Sequence, residues 1–434
     1  RGVYSIGQTI LDLDSAYRDL MKVAPEGFQG TADQLDEVRR KAISTGQEVA
    51  RSAVDIINST ASALQTGIDN IDQAMQYARG VNLFANVSDQ EEDVADKQVK
   101  AILSAYGGID KAMKTNAQGI KGLNKEYTEM TAVLDAMNYA GNNYAVTSAD
   151  VAQGLSKFAS VAKASGAEAY QAMSYVVGAN ETVQNASKVG TAMKTIISRM
   201  DGLQASAKDG SIYTNKTALA LKTIAGINIL DKNGELKDFN DLIKEVGEKW
   251  ETLGKNEKKT IAEAVAGRNQ LNVFQAMMDN WKTVLKYQNE YEQGFMMGSA
   301  EKENARFIDS LEGRIVKFKE ELKELVTTVV SSDMAKSFIG MATDVVSAIN
   351  DIVKALDDAG VSMPVLLSVI ATGTNSINQM ANNGKVVPFW TSFTSGVNNA
   401  SNAVDNMNSN VVVATNNNQQ LGNVIQSTNN QAKQ

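Results

Sequence analysis

The sequence contains no cysteine and no histidine, and only three of its 434 residues are prolines. Without cysteine and histidine the chain can form no disulfide, thiolate metal site or imidazole metal site. Ser/His/Asp triads and Cys/His dyads are excluded as well, because both need an imidazole as the general base. The sequence therefore predicts no catalytic residues, no metal site and no cofactor.

The charge balance is mildly acidic, since 42 lysines and arginines face 50 aspartates and glutamates for a net charge of −8. A surface that neutralises phosphates needs an excess of positive charge, so no specific nucleic-acid partner is expected. Hydrophobic residues make up 43% of the chain, which is enough to build at least one substantial core.

The scarcity of proline leaves long stretches rich in helix-forming residues uninterrupted, which predicts an all-α chain. The 32 glycines lie mostly between periodic segments, as expected where many helices end in short turns. Glycines predicted to close helical segments are Gly80, Gly107, Gly108, Gly141, Gly166, Gly178 and Gly202. We predict a multi-helix domain with a small β-hairpin insertion, followed by long coiled-coil helices.

The N-terminal residues 1–30 are predicted to form a linker helix. An amphipathic pattern covers residues 1–24 and stops at Pro25 and Gly27. The chain begins with Arg1, and the helical pattern is already established by Ile6. We therefore expect the sequence to be a piece of a longer or processed protein.

Residues 31–295 are predicted to form the core helical domain. Within it, a hydroxyl residue repeatedly precedes an acid or amide by three positions at the start of a helical run, the pattern of a capping box. The pairs are Thr31 and Gln34, Ser88 and Glu91, Thr147 and Asp150, and Ser165 and Glu168. Residues expected to fill the core are Trp250, Trp281, Met277, Met278, Met296 and Met297.

One segment of the core domain has a β pattern. Residues 227–236 place Asn233 and Gly234 between apolar residues, which favours a small hairpin or an extended turn. Asp231, Asn233 and Gly234 also resemble the opening of a calcium loop. The terminal bidentate glutamate and the flanking helix pair are missing, so a turn is the preferred interpretation.

Residues 300–358 are predicted to form a charged coiled-coil helix, because apolar residues recur at alternating spacings of three and four. The closely spaced carboxylates of residues 301–324 are interpreted as its solvated face and not as an acid/base pair. The seam residues are Ile308, Leu311, Ile315, Phe318, Leu322, Leu325 and Val329.

Residues 359–385 are predicted to form an apolar and polar linker helix. Its apolar part is shorter than the roughly 20 residues that span a membrane, so burial between subunits is preferred over membrane contact. Residues 386–434 are rich in asparagine and almost free of charge. They form either a second coil, whose seam includes Val397, Val404 and Val411, or a disordered tail.

Several segments within residues 33–290 resemble the core domain of phage tail tape measure proteins. The recurring features are an Ala-Lys-x-x-Gly helix end, a Gly-Thr-Ala-x-Lys-Thr helix followed by an arginine, a Gly-Ile hairpin, and a Gly-Arg pair. Here the segments are residues 146–155, 162–169, 190–200, 226–236, 241–243 and 266–269. Each is weak alone, but their order and spacing fit the family.

The resemblance implies a structural ruler and scaffold that is released during genome ejection, located in the virion tail, in its lumen or at its tip, and in the host cytoplasm during assembly. It implies a homo-oligomer as well as contacts with the tail tube protein, distal tail and tail-tip hub proteins, and tail assembly chaperones. The alternation of Ile and Leu favours two strands, whereas Phe318 and the tubular setting favour three or more, with a trimer preferred.

Two other functions are weighed against this one. Asp/Glu chemistry needs no histidine, so a tail-associated cell-wall hydrolase is one alternative. The other is a helical protein that inserts into a membrane during DNA delivery, with residues 359–393 making a transient membrane contact. The sequence favours the structural protein over both, and we expect no enzyme activity.

Overall fold

The computed structural model describes residues 6–114, 117, 120, 127–208 and 215–309, and within them the chain forms seventeen α-helices and no strand. The helices are α1 Ile6–Val23, α2 Ala32–Val49, α3 Ala53–Leu64, α4 Ile71–Val87, α5 Glu92–Ala105, α6 Ile109–Lys114, α7 Glu129–Asn143, α8 Ser148–Ser156, α9 Ala159–Ala164, α10 Ala169–Val183, α11 Ala186–Lys208, α12 Lys216–Ala225, α13 Phe239–Trp250, α14 Lys255–Ala266, α15 Leu271–Asp279, α16 Trp281–Glu292 and α17 Ser299–Asp309. The mostly helical prediction is confirmed for this part of the chain.

Two of the four predicted capping boxes are confirmed. Thr31 begins α2 by accepting a hydrogen bond from the Gln34 N–H, while the Gln34 side chain accepts from Thr31. Thr147 and Asp150 exchange the same pair of bonds at the start of α8. These contacts satisfy N–H groups that have no partner within the helix.

The other two predicted boxes are wrong, because their serines close the preceding helix. The Ser88 hydroxyl donates to the Phe84 carbonyl at the end of α4, and α5 begins only after Glu91. The Ser165 hydroxyl likewise donates to the Ala162 carbonyl at the end of α9. Helix α10 begins four residues later at Ala169, and Glu168 is its N-cap. A short hydroxyl side chain can serve either end of a helix, and the spacing does not distinguish them.

The chain divides into two compact units, and the described helices lie almost entirely in the one that spans Ser15–Phe307. In this unit α2, α3, α4 and α5 pack together, and α4 and α5 continue the packing onto α7 and α8. Helix α10 lies at the centre and contacts α7, α8, α9, α11, α15 and α16. Residues 172–180 of α10 are all buried.

The predicted tryptophan anchors are confirmed. Trp250 is 1% exposed and packs edge-on against Phe274, with ring centroids 5.8 Å apart. Trp281 is 6% exposed and lies against Gly247, where a β-carbon would collide with the indole ring. Met277, Met278 and Met296 are buried as predicted, but Met297 is 38% exposed, so its placement in the core is wrong.

Four of the glycines predicted to end helices lie inside them instead. Gly80, Gly141, Gly178 and Gly202 are interior residues of α4, α7, α10 and α11. At Gly178 a β-carbon would lie 2.5 Å from Cγ2 of Val284, so α16 can approach α10 only because the side chain is absent. Gly107, Gly108 and Gly166 do lie in turns, with positive φ angles as predicted.

The predicted β-hairpin is not confirmed. Residues 227–236 form a tight turn with one isolated antiparallel bridge between Leu230 and Leu236. The turn is fixed by the Asp231 carboxylate, which accepts from the backbone N–H groups of Asn233 and Glu235, both at 2.8 Å. Gly234 supplies the positive φ angle of 79°. The side chain that resembled a calcium ligand therefore stabilises its own turn.

Candidate functional site: the socket of helix α17

Helix α17 follows α16 through a short turn over residues 293–298. Gly294 and Gly298 have φ angles of +79° and +74°, which reverse the chain. Met296 lies between them, fully buried. The turn thus inserts one apolar side chain into the core, and α17 starts immediately after it at Ser299.

Asp135 of α7 binds the first turn of α17. Its carboxylate accepts the Gly298 N–H at 2.7 Å, the Ala300 N–H at 2.8 Å and the Tyr127 hydroxyl at 2.7 Å. N–H groups at a helix start have no partner in the helix and carry partial positive charge, so a carboxylate stabilises them. Asp135 is 1% exposed. Burial raises the pKa of its carboxyl, although the three hydrogen bonds oppose this shift.

Two asparagines extend this contact along α7. The Asn138 amide donates to the Ser299 hydroxyl at 2.8 Å, and the Asn142 amide donates to the Glu303 carboxylate. Asn138 is fully buried, whereas Asn142 is exposed. A single line of polar side chains on α7 therefore follows the first turns of α17.

Helix α4 contacts the other side of α17 through Asn86 and Arg79. The Asn86 amide donates to Oδ1 of Asn304 at 2.9 Å, and both side chains are buried. Arg79 Nη1 lies 2.7 Å from the Glu301 carboxylate, in an exposed ion pair. We name Arg79, Asn86, Asp135, Asn138 and Asn142 the socket.

The socket binds the N-terminal part of a helix, and its two charged residues are both engaged in bonds. Both Asp135 oxygens accept hydrogen bonds, and the Arg79 guanidinium is paired with Glu301 and Glu48. A cavity of about 170 Å³ adjoins it, lined partly by Met130 and Leu134. The arrangement can orient α17, since each donor or acceptor fixes a different point of the helix.

A second buried polar cluster joins α3, α4 and α5. Asp96 of α5 accepts the Tyr77 hydroxyl at 2.8 Å and the Ser62 hydroxyl at 2.6 Å, and the Ser59 hydroxyl donates to Glu92. Burial raises the pKa of the Glu92 carboxyl to about 7, although the bond from Ser59 opposes the shift. The carboxylate of Asp96 adds to the increase.

Three of the segments that resemble tape measure proteins, residues 146–155, 190–200 and 266–269, lie on or beside α8, α11 and α14, and α11 packs against both other helices. A β-carbon on Gly190 would lie 2.3 Å from the Gly154 carbonyl oxygen, so the glycine permits direct backbone contact between α11 and α8. Further along α11, the Arg199 side chain lies against Gly267 and donates a hydrogen bond to the Ala264 carbonyl at 3.3 Å. Gly190, Arg199 and Gly267 of these recurring features therefore lie at contacts between helices, whereas Arg268 is exposed and pairs with Glu263.

The structure places few of the sequence-predicted seam residues. Ile308 lies half-buried on α17, and Glu301 at the start of the charged run pairs with Arg79. The remaining seam residues lie outside the described residues; they are Leu311, Ile315, Phe318, Leu322, Leu325, Val329, Val397, Val404 and Val411. The predicted coils and linker of residues 310–434 lie outside them as well.

The described part of the chain contains neither a metal-binding cluster nor a membrane-spanning helix. There, no three acidic side chains lie close enough to hold a metal ion. None of the helices in the same ranges combines the length and the apolar character that crossing a membrane requires.

Sequence reasoning missed the socket. The sequence does contain a pattern that indicates the socket, because Asn86, Asp135 and Asn138 are polar residues within otherwise apolar helical stretches. Asp135, Asn138 and Asn142 are spaced by three and four residues, so they share one face of α7. That pattern normally indicates a solvated face, and only the burial of Asp135 and Asn138 shows a binding surface.

Comparison with known proteins identifies the family. A family model described as phage-related minor tail protein matches residues 39–267, more than half of the chain. No solved structure matches the chain. The matched range begins within α2, ends at Gly267 after α14, and contains all five socket residues. The chain therefore belongs to the family of phage-related minor tail proteins.

Proposed function

We propose that this protein is a tape measure protein, a ruler and scaffold on which a phage tail tube assembles and which leaves the tail during genome ejection. Family membership supports a structural role in a phage tail. The observation that carries the proposal is the socket, which fixes the start of α17 by five side chains from two helices. A ruler needs its extended part to leave the folded domain in a defined direction.

The extended part is the predicted coil that begins on α17. Its seam starts at Ile308 and continues in the sequence to Val329 with heptad spacing. An α-helix extends about 1.5 Å per residue, so a coil converts residue number directly into length. One narrow apolar seam requires partner helices, and we propose three or more copies, with a trimer preferred.

The proposed location is the virion tail, in the lumen or at the tip, after assembly in the host cytoplasm. The proposed partners are the tail tube protein, the distal tail and tail-tip hub proteins, and tail assembly chaperones. The mildly acidic charge of the chain gives no support to a specific nucleic-acid contact. A transient membrane contact of residues 359–393 remains a separate proposal, tested by flotation of the full chain with liposomes.

Changing the length of the coil tests the ruler. Deletion of residues 308–335, four heptads, should shorten tails by about 42 Å at the helical rise. The matched control replaces the same residues with four unrelated heptads that keep the apolar seam, and its tails should retain their length. Tail length is measured by negative-stain electron microscopy. Tails of normal length after the deletion would contradict the ruler, and absent tails in both variants would indicate a tip organiser instead.

A second candidate, a tail-associated cell-wall hydrolase, is favoured by the Glu92 and Asp96 pair. Two neighbouring carboxyls, one with its pKa raised to about 7, are what acid/base cleavage of a glycoside uses. Against it, the Asp96 oxygens and one Glu92 oxygen are already bonded to side chains of α3 and α4. Dye release from labelled peptidoglycan decides: activity lost in Glu92→Gln would establish the hydrolase, and no activity in the unaltered chain would remove it.

A further inference from the structure

The contact between α17 and the socket differs in kind from the apolar packing of α10. Ala300 and Asn304 are the buried residues of this eleven-residue helix. Its first turns are also held by hydrogen bonds and one exposed ion pair, and Phe307 and Ile308 near its end are half-buried. Hydrogen bonds and exposed ion pairs each contribute little net free energy, because water competes for the same groups. Within Ser299–Asp309 the one fully buried apolar side chain is Ala300, so less apolar area opposes separation of α17 than separation of α10.

Three of the five socket residues, Arg79, Asn86 and Asp135, keep hydrogen-bond partners of their own when α17 is set aside. Arg79 remains paired with Glu48 at 2.9 Å. The Asn86 amide also donates to the Val49 carbonyl, and its oxygen accepts from Arg51 at 2.6 Å.

Asp135 likewise keeps the Tyr127 hydroxyl as a partner at 2.7 Å. Departure of α17 would expose its carboxylate to water, which replaces the lost Ala300 N–H donor and removes the penalty of burial. Undocking thus leaves no uncompensated buried charge, and Arg79, Asn86 and Asp135 stay positioned for α17 to return.

The turn before α17 supplies a hinge beside a fixed anchor. Gly298, at a φ angle of +74°, lies at the boundary between the turn and the helix. Two residues earlier, Met296 is fully buried, and Tyr291 near the end of α16 stacks on Tyr170 with ring centroids 4.3 Å apart. Rotation at Gly298 can therefore move α17 while α16 and Met296 remain in the core.

We infer that α17 and the socket form a latch, which holds the helix in one direction yet opens without unfolding of the domain. The biological meaning of the latch rests on the proposed function. If the chain carries a coil, opening of the latch changes the direction of that coil. The latch itself is a property of this chain alone. It can fail while the tail-length experiment succeeds, and the reverse also holds.

Native-state hydrogen exchange of the full chain tests the latch. Across a series of low urea concentrations, amides of residues 300–307 should exchange at rates that hardly depend on urea, because local opening exposes little surface. Amides of residues 172–180 in α10 should exchange only through urea-dependent unfolding. Equal rates and equal urea dependence in both segments would show that α17 opens only when the domain unfolds, which overturns the latch.

Two neighbouring asparagines give a matched pair of variants. Asn142→Ala removes a socket contact to Glu303, and Asn143→Ala removes a bond to the Tyr139 carbonyl within α7 itself. Both side chains are exposed, so neither variant creates a cavity. Asn142→Ala should speed exchange of residues 300–307 by roughly two- to tenfold and leave α10 unchanged. Equal effects of the two variants on α17 would contradict the socket assignment.

Discussion

Helices α10 and α17 show two ways in which this domain fixes a helix. Helix α10 buries nine consecutive residues and is surrounded by neighbours. Helix α17 buries Ala300 and Asn304 and is held by polar side chains. Burial of apolar area has no preferred direction, whereas hydrogen bonds require defined geometry. The comparison teaches that the packed core stabilises the domain, whereas the socket orients α17 and contributes little to the free energy of unfolding.

The largest effect is expected for Tyr175→Ala in α10. Tyr175 is 2% exposed, packs edge-on against Phe239 and donates to Asn240 at 2.6 Å. Loss of a buried aromatic ring typically costs about 3–5 kcal/mol, measurable by urea unfolding. The control Tyr175→Phe keeps the ring and should cost about 1 kcal/mol. A loss for Tyr175→Ala no larger than the control would remove α10 as the stabilising helix.

Gly178→Ala in the same helix should lower the free energy of unfolding by about 1–3 kcal/mol through overpacking. The new β-carbon would lie 2.5 Å from Cγ2 of Val284, and Val284→Ala in the same chain should restore part of the loss. The control is Gly202→Ala in α11, where nothing lies within 4 Å of the added carbon. That change should stabilise by up to about 1 kcal/mol from helix propensity. Destabilisation of similar size in both variants would contradict close packing as the cause.

The raised pKa of Glu92 predicts that the stability of the domain depends on pH. Glu92 lies where α3, α4 and α5 pack, outside the socket. Burial raises its pKa in the folded chain to about 7 from an ordinary value of 4.5, so the folded state holds the proton more tightly. The stability contributed by this group is therefore complete below pH 4.5 and is lost as pH rises through about 7. Urea midpoints measured across this range should fall less in Glu92→Gln than in the unaltered chain. If the urea midpoints of both chains fell equally with rising pH, Glu92 would not be the source of the pH dependence.

The smallest effect is expected for the Arg79 and Glu301 pair of the latch. Both side chains are exposed by a third or more. A double-mutant cycle with Arg79→Gln and Glu301→Gln should give a coupling below about 1 kcal/mol that diminishes with added salt. A coupling several times larger and independent of salt would mean that the socket stabilises the domain, and the contrast with α10 would disappear.

The sequence alone predicted the helical class and some of the residues at which helices begin. Thr31 and Thr147 begin helices as expected, because their hydroxyls satisfy N–H groups three residues away in the same chain. Trp250 and Trp281 were identified as core residues, since large apolar rings on amphipathic helices are rarely left in water. These successes concern interactions within one helix, or the general preference of apolar groups for burial.

Two of the failures concern contacts between different helices. Gly141 is predicted to end a helix, yet α7 continues through it, and its glycine leaves room for the Ser148 backbone nitrogen, which would lie 2.7 Å from a β-carbon. Asp135 was not selected at all, since its partners at Gly298 and Ala300 lie more than 160 residues away in sequence. Composition and spacing describe neither contact.

By itself, the sequence determined the helical class of the described domain and the side-chain chemistry that is missing, because helix propensity and the absence of cysteine and histidine are local facts. Only the tertiary structure decided which polar residues bind. Asn138 and Asn143 are the same residue type on one helix, but Asn138 is buried against Ser299 while Asn143 bonds to its own helix. The physical reason is that burial changes the value of a hydrogen bond, and burial depends on where the other helices pack.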